Sequence, residues 1–318
     1  MASPKSATAQ TVTLYGLCQL YLDWVEENRS PATYYQRQHY LKSFIGHVGK
    51  RMKAGELKGY HVTQWYEQLR KAPTKAEKQA AEKEGREANG KKVSTTTQSD
   101  AAGVVKRMLN WALDRGHIEH NPIADLKRPK RKRRDVCYNA AEWQAIVSHA
   151  TGPLVDFLEF LSLTGCRPIE ARTLEGRHIQ GDQAVFEIEK SKGKFERRVI
   201  YLVEAAKAIL GRLVAEHPKG PVFRNSKGNP WTKDALVCRM KRIRIKVSEE
   251  LGYEVPAMAY GARHSYATNA LQRGVDSTIV ANLMGHRDTT MVARTYSHVD
   301  QNAAHLMNQA RRIVERDE

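Results

Sequence analysis

One internal run of charge divides this chain of 318 residues into two parts. Residues 127–134 read Lys-Arg-Pro-Lys-Arg-Lys-Arg-Arg, so seven of these eight side chains are positive and the remaining residue is proline. Because like charges repel, such a segment does not fold by itself. It predicts an interdomain linker over residues 127–138, and a chain of this length is ample for two domains.

The overall charge points in the same direction. A formal net charge of +17 indicates a polyanionic partner, which is either nucleic acid or an anionic membrane. Membrane binding favours a basic amphipathic helix at a terminus, whereas the densest basic run here is internal. We therefore expect double-stranded DNA; a solvated linker and a nuclear localisation signal are the alternatives for the run itself. The expected DNA contacts are Lys127, Arg128, Lys130, Arg131, Lys132, Arg133 and Arg134.

Several other protein classes are disfavoured. No apolar run is long enough to span a bilayer, and no apolar segment of a secretory signal follows Met1. The four cysteines are scattered without a CxxC pair, which argues against structural zinc and a disulfide framework and favours a reducing cytoplasm. We expect a cytoplasmic, nucleoid-associated protein with neither a membrane nor a small-molecule partner.

The first part of the chain has helical periodicity. After a disordered stretch at 1–10, apolar residues at helical spacing predict a helix over 11–26, and Ser30-Pro31 predicts the start of a second. Residues 60–70 predict a third helix, while 71–92 indicate a solvated helix or a flexible excursion. Ser94 is expected to cap a helix whose apolar face holds Ala101, Val104, Val105, Met108, Leu109 and Ala112. Residues 11–126 thus predict a small all-helical domain.

The second part, residues 139–318, mixes helices with a short sheet. A buried helical stripe around Leu158 precedes two predicted strands, 184–188 and 198–202, which are joined by a polar turn at 190–194. Helical patterns continue to the C-terminus. The expected fold class is mainly α with a small β-sheet, that is α+β.

An arginine follows the buried helical stripe at a point where the chain is expected to change direction. Gly165 ends that helix and Pro168 suits the first turn of the next, so Arg167 is placed at a helix N-terminus, where backbone N–H groups favour an anion. Glu170 lies one turn further on and can orient an arginine. The alternative is a surface arginine beside a turn.

Three further polar residues lie near the end of the chain. Arg263 opens a predicted helix on the same face as several apolar residues, so it needs an anion or a structural salt bridge. His286 follows a glycine at a helix end, and Tyr296 lies ten residues later. Taken singly, such a histidine or tyrosine is more often structural than catalytic.

The order of these motifs resembles that of the tyrosine recombinase family, which includes the phage integrases. The resemblance implies a helical core-binding domain at 11–126 and a catalytic domain at 139–318. It places the catalytic residues at Arg167, Lys192, Arg263, His286 and Tyr296, with Glu170 as the supporting acidic residue. Lys190 and Lys194 are alternatives for the hairpin lysine.

Tyr260 departs from the family pattern, since a histidine often stands at that position. A phenol can donate or accept a hydrogen bond, but it cannot become cationic as imidazole does. We therefore expect a supporting role for Tyr260 within the site.

The resemblance also implies a mechanism. Tyr296 attacks the scissile phosphate to form a 3′-phosphotyrosine, Arg167, Arg263 and His286 stabilise the developing charge, and Lys192 protonates the leaving 5′-oxygen. No metal, ATP or other cofactor is expected.

The same resemblance implies the partners: DNA with inverted core sites and a homo-oligomer that forms a tetrameric synapse. An apolar stripe over 299–314 predicts a C-terminal helix. The resemblance implies that this helix docks on a neighbouring protomer, and the alternative is that it packs on its own domain. Only about ten residues precede the first helix, so an additional N-terminal arm-binding domain is not expected. The alternative functions are relaxation of DNA, as by a type IB topoisomerase, and non-catalytic DNA binding.

Overall fold

The computed structural model describes residues 12–73, 75–85, 87–88, 90–132, 136–191, 194–286 and 307. Two compact units divide the chain, residues 1–133 and 134–318. The expectations for residues 1–10, Lys192, Arg133, Arg134, Tyr296 and the helix at 299–314 fall outside the described residues, apart from Met307.

The described part of the first unit is helical. Its helices are α1 (Leu14–Asn28), α2 (Pro31–Val48), α3 (Gly59–Gln68), α4 (Lys75–Lys83) and α5 (Thr95–Asp114). The predicted starts at Ser30 and Ser94 are confirmed, because their hydroxyls accept hydrogen bonds from the backbone N–H groups of Thr33 and Thr97. Helices α1, α2 and α3 pack against α5. The apolar face predicted for α5 is fully buried, as expected for the centre of a small helical domain.

The described part of the basic run, residues 127–132, lies along α5. Arg131 forms an ion pair with Asp100, and the backbone N–H of Lys132 donates to Oγ1 of Thr96 at 3.2 Å. Arg128 passes so close to Gly103 that a Cβ there would lie 2.7 Å from Nη1. Contacts with the helix therefore hold this strongly charged segment, which has no fold of its own.

The second unit begins with α6 (Ala140–Ser148), α7 (Pro153–Thr164) and α8 (Pro168–Arg172). A three-stranded antiparallel sheet follows, in the order β1 (Ile179–Gln180), β2 (Gln183–Ser191) and β3 (Lys194–Tyr201). The unit continues with α9 (Glu204–Glu216), α10 (Lys233–Leu251), α11 (Ala259–Gln272) and α12 (Ser277–Met284). Helix α7 is central, since it contacts α6, α8, α9 and α11.

Several sequence-based boundaries need correction, including that of the first helix, which was predicted over 11–26 and spans Leu14–Asn28. The strands are longer than predicted, because β2 reaches Ser191 and β3 starts at Lys194. Helix α11 begins at Ala259, so Arg263 lies in its second turn instead of opening it. Within the described residues, no helix combines the length and apolar character needed to cross a membrane.

Candidate active site

Arg167 is positioned by the junction between α7 and α8. Gly165 ends α7 in the left-handed conformation (φ 61°), and Pro168 occupies the first turn of α8, so Arg167 is the N-cap residue as predicted. A Cβ at Gly165 would also lie 2.4 Å from the ring of Tyr266. Glycine is therefore required here both by the backbone conformation and by the packing.

Glu170 binds two arginines. Its carboxylate accepts hydrogen bonds from the backbone N–H of Arg167 at 2.8 Å, from Nη1 of Arg167 at 2.9 Å and from Nε of Arg198 at 3.3 Å. Burial alone would raise the pKa of Glu170, but the charge of Arg198 and the contacts of Arg167 outweigh it and lower the pKa. The carboxylate stays ionised and orients both guanidinium groups.

Arg263 is almost completely buried, with 1% of its surface exposed. Its Nη1 donates to the carbonyl of Gly165 at 2.6 Å and its Nη2 to that of Met284 at 2.7 Å. Among the described residues these acceptors and the imidazole of His286 take the place of a salt bridge. Nε of Arg263 is buried without a partner in the same set, so the expected anion stays a prediction. Burial and then the charge of Arg167 lower the pKa of Arg263.

His286 directly follows the glycine that ends α12, as predicted. Its Nε2 accepts a hydrogen bond from Nη2 of Arg263 at 2.9 Å. Burial, followed by the charges of Arg263 and Arg167, lowers the pKa of His286 to about 4. The imidazole is therefore neutral near pH 7 and carries its proton on Nδ1, a buried donor without a partner among the described residues.

The three predicted residues Arg167, Arg263 and His286 meet at the turn after α12. Arg198 of β3 reaches the same turn, although its sequence context predicts only a place in a strand. One sequence feature could have drawn attention to Arg198. It is a charged residue at a core-facing position of the strand, where it pairs across the sheet with the buried Phe186. Because strand faces alternate, the neighbouring Arg197 is exposed.

Tyr260 lies in the first turn of α11, one turn before His264. The residue is 41% exposed, and its ring meets the imidazole of His264 edge-on, with 5.1 Å between the ring centroids. A phenol therefore occupies the accessible start of the helix that carries Arg263.

Tyr138 is a second residue that sequence reasoning missed. Its backbone N–H donates to Oγ of Ser265 at 2.7 Å, and its hydroxyl donates to the carbonyl of Met258 at 2.9 Å and accepts from the N–H of Met258 at 2.7 Å. A Cβ at Gly261 would lie 2.2 Å from this hydroxyl oxygen. Tyr138 thus fixes the start of α11 and with it the position of Arg263.

Lys190 and Lys194 belong to β2 and β3. These two alternatives for the hairpin lysine lie near the end of β2 and at the start of β3, while Lys192 falls outside the described residues. Among the described residues, His, Cys, Asp and Glu form no group of three suited to a metal ion.

A separate arginine cluster lies in the first unit and consists of Arg37, Arg107 and Arg128. Burial and then the charge of Arg37 lower the pKa of Arg107, with a further contribution from Arg128. Nε and Nη1 of Arg37 are buried without a hydrogen-bond partner in the described part of the chain. A phosphate would relieve this repulsion and accept these hydrogen bonds.

Comparison with known proteins agrees with this architecture. Residues 139–303 match the phage integrase family, and the chain belongs to that family of tyrosine recombinases. It is 26% identical over 234 residues to tyrosine recombinase XerC 2 of Ralstonia nicotianae, a match that covers 67% of this chain and 64% of the relative. The chain thus spans slightly less than two thirds of that relative's length.

Two solved structures share the fold. The Tn1549 transposon integrase in complex with circular intermediate DNA matches with a TM-score of 0.68 at 17% identity, covering 96% of this chain and 100% of that one. The lambda integrase tetramer bound to a Holliday junction matches with a TM-score of 0.65 at 15% identity, covering 89% and 77%. The predicted family and the α+β fold class are confirmed.

Proposed function

We propose that this protein is a site-specific DNA recombinase, which integrates or excises DNA by cleaving and exchanging strands through a 3′-phosphotyrosine on Tyr296. Family membership supports this reaction class. The observation that carries the proposal is the convergence of Arg167, Arg263 and His286 on the turn that follows α12.

These three side chains suit a phosphodiester in its transition state. Guanidinium groups present planar pairs of donors that match phosphate oxygens, and they remain charged at any working pH. Arg167 keeps 34% of its side chain exposed, which leaves donors for a substrate. The neutral imidazole of His286 adds an N–H donor beside them. Donors already held in place stabilise developing charge without reorganisation during the reaction.

The reaction is balanced without an external energy source. The hydroxyl of Tyr296 loses its proton to solvent as its oxygen bonds to the phosphorus, the bond to the 5′-oxygen breaks, and Lys192 supplies the proton that this oxygen takes up. The 5′-hydroxyl of a partner strand then attacks the phosphotyrosine and returns its proton to Lys192, and Tyr296 is released and takes up a proton from solvent. One phosphoester bond replaces another at each step, so ATP is not consumed. Tyr260 and Glu170 support this site, the latter by orienting Arg167.

Duplex DNA with inverted core sites is the proposed partner, and the protein acts on it in the cytoplasm. The basic run and the arginine cluster supply positive charge on the described first unit. The tetrameric synapse is supported by the shared fold of lambda integrase, which forms a tetramer on a Holliday junction. The segment at 299–314 is the proposed docking helix between protomers.

The proposal can be tested with a nicked duplex built from inverted repeats that flank the coding region. The nick lies close to the scissile phosphate on the strand that is cleaved, so cleavage releases a short strand with the 5′-hydroxyl and the phosphotyrosine cannot be resealed. We expect a covalent protein–DNA band on a denaturing gel and strand exchange between two intact sites. Relaxation of supercoiled DNA without exchange would instead support the topoisomerase-like alternative, and DNA binding without an adduct would support the non-catalytic one.

A further inference from the structure

Arg198 is a buried charge at a position where a strand normally carries an apolar side chain. It lies on the core-facing side of β3, opposite Phe186, and only 6% of its surface is exposed. Burying a guanidinium is unfavourable unless all its donors are satisfied. The acceptors of its hydrogen bonds are therefore the groups that the guanidinium of Arg198 holds in place.

The guanidinium group of Arg198 links three elements. Its Nε donates to Oε1 of Glu170 in α8 at 3.3 Å, its Nη1 to the carbonyl of Val199 in β3, and its Nη2 to the carbonyl of Leu283 in α12 at 3.1 Å. The oxygen Oε1 of Glu170 also accepts from Nη1 of Arg167. Arg198 thus shares one carboxylate oxygen with a proposed catalytic arginine.

Three consecutive carbonyls at the end of α12 each accept from a different arginine. Leu283 accepts from Arg198 at 3.1 Å, Met284 from Arg263 at 2.7 Å and Gly285 from Arg167 at 3.1 Å, in each case from Nη2. The last carbonyls of a helix lack partners within it and form its negative end, so cations there are favourable. His286 is the next residue in the chain.

The turn itself is shaped around Arg198. Gly285 has a φ of +65°, and a Cβ at this position would lie 2.6 Å from Nε and 2.7 Å from Cζ of Arg198. The backbone of the turn therefore packs directly on the guanidinium plane. A displacement of Arg198 would move the carbonyl that holds Arg167 and the residue that follows it, His286.

The geometry points to Arg198 as a positioning residue for strand cleavage: it holds Glu170 and the end of α12 so that Arg167 and His286 face the same phosphate. This role rests on the proposed recombinase function. Arg198 has no contact with DNA in this scheme, and it acts through the two residues that it aligns.

The test measures single-turnover formation of the covalent adduct on the nicked duplex, with DNA at saturating concentration. We compare Arg198→Met and Arg198→Lys with Arg197→Met, which removes an exposed arginine from the same strand. Misplacing reacting groups by about 1 Å costs on the order of 100-fold in rate. We expect Arg198→Met to react about 100-fold more slowly than Arg197→Met, with the same DNA affinity. Arg198→Lys should recover little, since an ammonium cannot span both Glu170 and Leu283 in the planar geometry of a guanidinium.

Two further measurements distinguish the positioning role of Arg198 from a role in stability alone. Rates are normalised to the folded fraction from thermal unfolding, and the pH dependence of the rate is recorded for each variant. Arg198 helps to lower the pKa values of both Glu170 and His286, so the acidic limb of the Arg198→Met profile should move to higher pH, while that of Arg197→Met should not.

The proposed role is overturned if the normalised rate of Arg198→Met lies within about threefold of that of Arg197→Met, or if its loss of rate is matched by its loss of DNA affinity. Failure of the wild-type protein to form an adduct would overturn the recombinase function instead, so the two outcomes are distinct.

Discussion

Arg263 donates a hydrogen bond to His286 across 2.9 Å, and this contact fixes the protonation state of the imidazole. A guanidinium can only donate, so Nε2 of His286 must accept and the ring is neutral. The proposed active site therefore contains one histidine that donates from Nδ1 and does not contribute a positive charge.

We predict that His286 remains neutral from pH 8 down to about pH 5. Its pKa of about 4 lies below the ordinary value of 6.5 because the site is buried and holds Arg263, Arg167 and Arg198, with His264 nearby. NMR titration of histidine-labelled protein measures this directly, with His286→Gln to assign the resonance. Titration of His286 near pH 6.5 would contradict the hydrogen-bond assignment.

The same shift has a consequence for stability. The unfolded chain takes up a proton on His286 as the pH falls through 6.5, whereas the folded protein does so only near 4. The contribution of His286 to the free energy of unfolding is thus fully present above pH 6.5, and it is lost as the pH falls toward 4. Chemical denaturation at pH 7 and at pH 5 measures this effect. Between these pH values the free energy of unfolding should decrease less for His286→Gln than for the wild type.

Gly285→Ala should be more destabilising than a typical substitution at a helix end. The left-handed conformation costs an alanine roughly 1–2 kcal/mol, and forcing a Cβ against Arg198 adds about 1–3 kcal/mol of overpacking. Gly252→Ala is the matched control, because Gly252 also ends a helix with a positive φ, of 74°, but has open space around it. Equal midpoints in urea for both variants would show that contact with Arg198 is unimportant.

Lys192→Ala should slow cleavage by about 10²- to 10⁴-fold if this lysine protonates the leaving oxygen. A substrate with a 5′-thio leaving group needs no such proton, so it should restore the rate. Lys190→Ala and Lys194→Ala are controls from the same hairpin. Rescue of one of these variants, in place of Lys192→Ala, would reassign the general acid.

The basic run should govern the salt dependence of DNA binding. Each lost phosphate contact lowers the slope of log K against log salt concentration by about 1, so Arg128→Gln and Lys130→Gln should each reduce it by that amount. Lys207→Gln should not, because Lys207 is already paired with Asp182 and Glu204. These measurements use a Tyr296→Phe background to prevent cleavage. Unchanged slopes would show that the basic run does not contact the DNA phosphates.

Local signals in the sequence were sufficient to predict several helix boundaries and three of the candidate site residues. Ser30, Ser94, Gly165 and Pro168 act on their own neighbours, so the helix boundaries that they set were predictable. The candidate residues Arg167, Arg263 and His286 were found from their order along the chain, and the fold brings them to one turn.

The role of Arg198 could not be predicted in the same way. Its partners, Glu170 and Leu283, lie 28 and 85 residues away, and nothing local indicates which carbonyl a buried arginine will reach. The contacts of Arg263 were not predictable for a related reason. A charge on an apolar stripe indicates that a partner exists, but it does not say that two backbone carbonyls will be among the partners.

In the proposed mechanism Tyr296 is the nucleophile, while the accessible Tyr260 is not. Protease digestion and mass spectrometry of the trapped covalent adduct locate the DNA phosphate on a single peptide. We expect the phosphate to be attached to Tyr296, no adduct with Tyr296→Phe, and an adduct with Tyr260→Phe. A phosphate on Tyr260, or an adduct with Tyr296→Phe, would contradict the proposed mechanism.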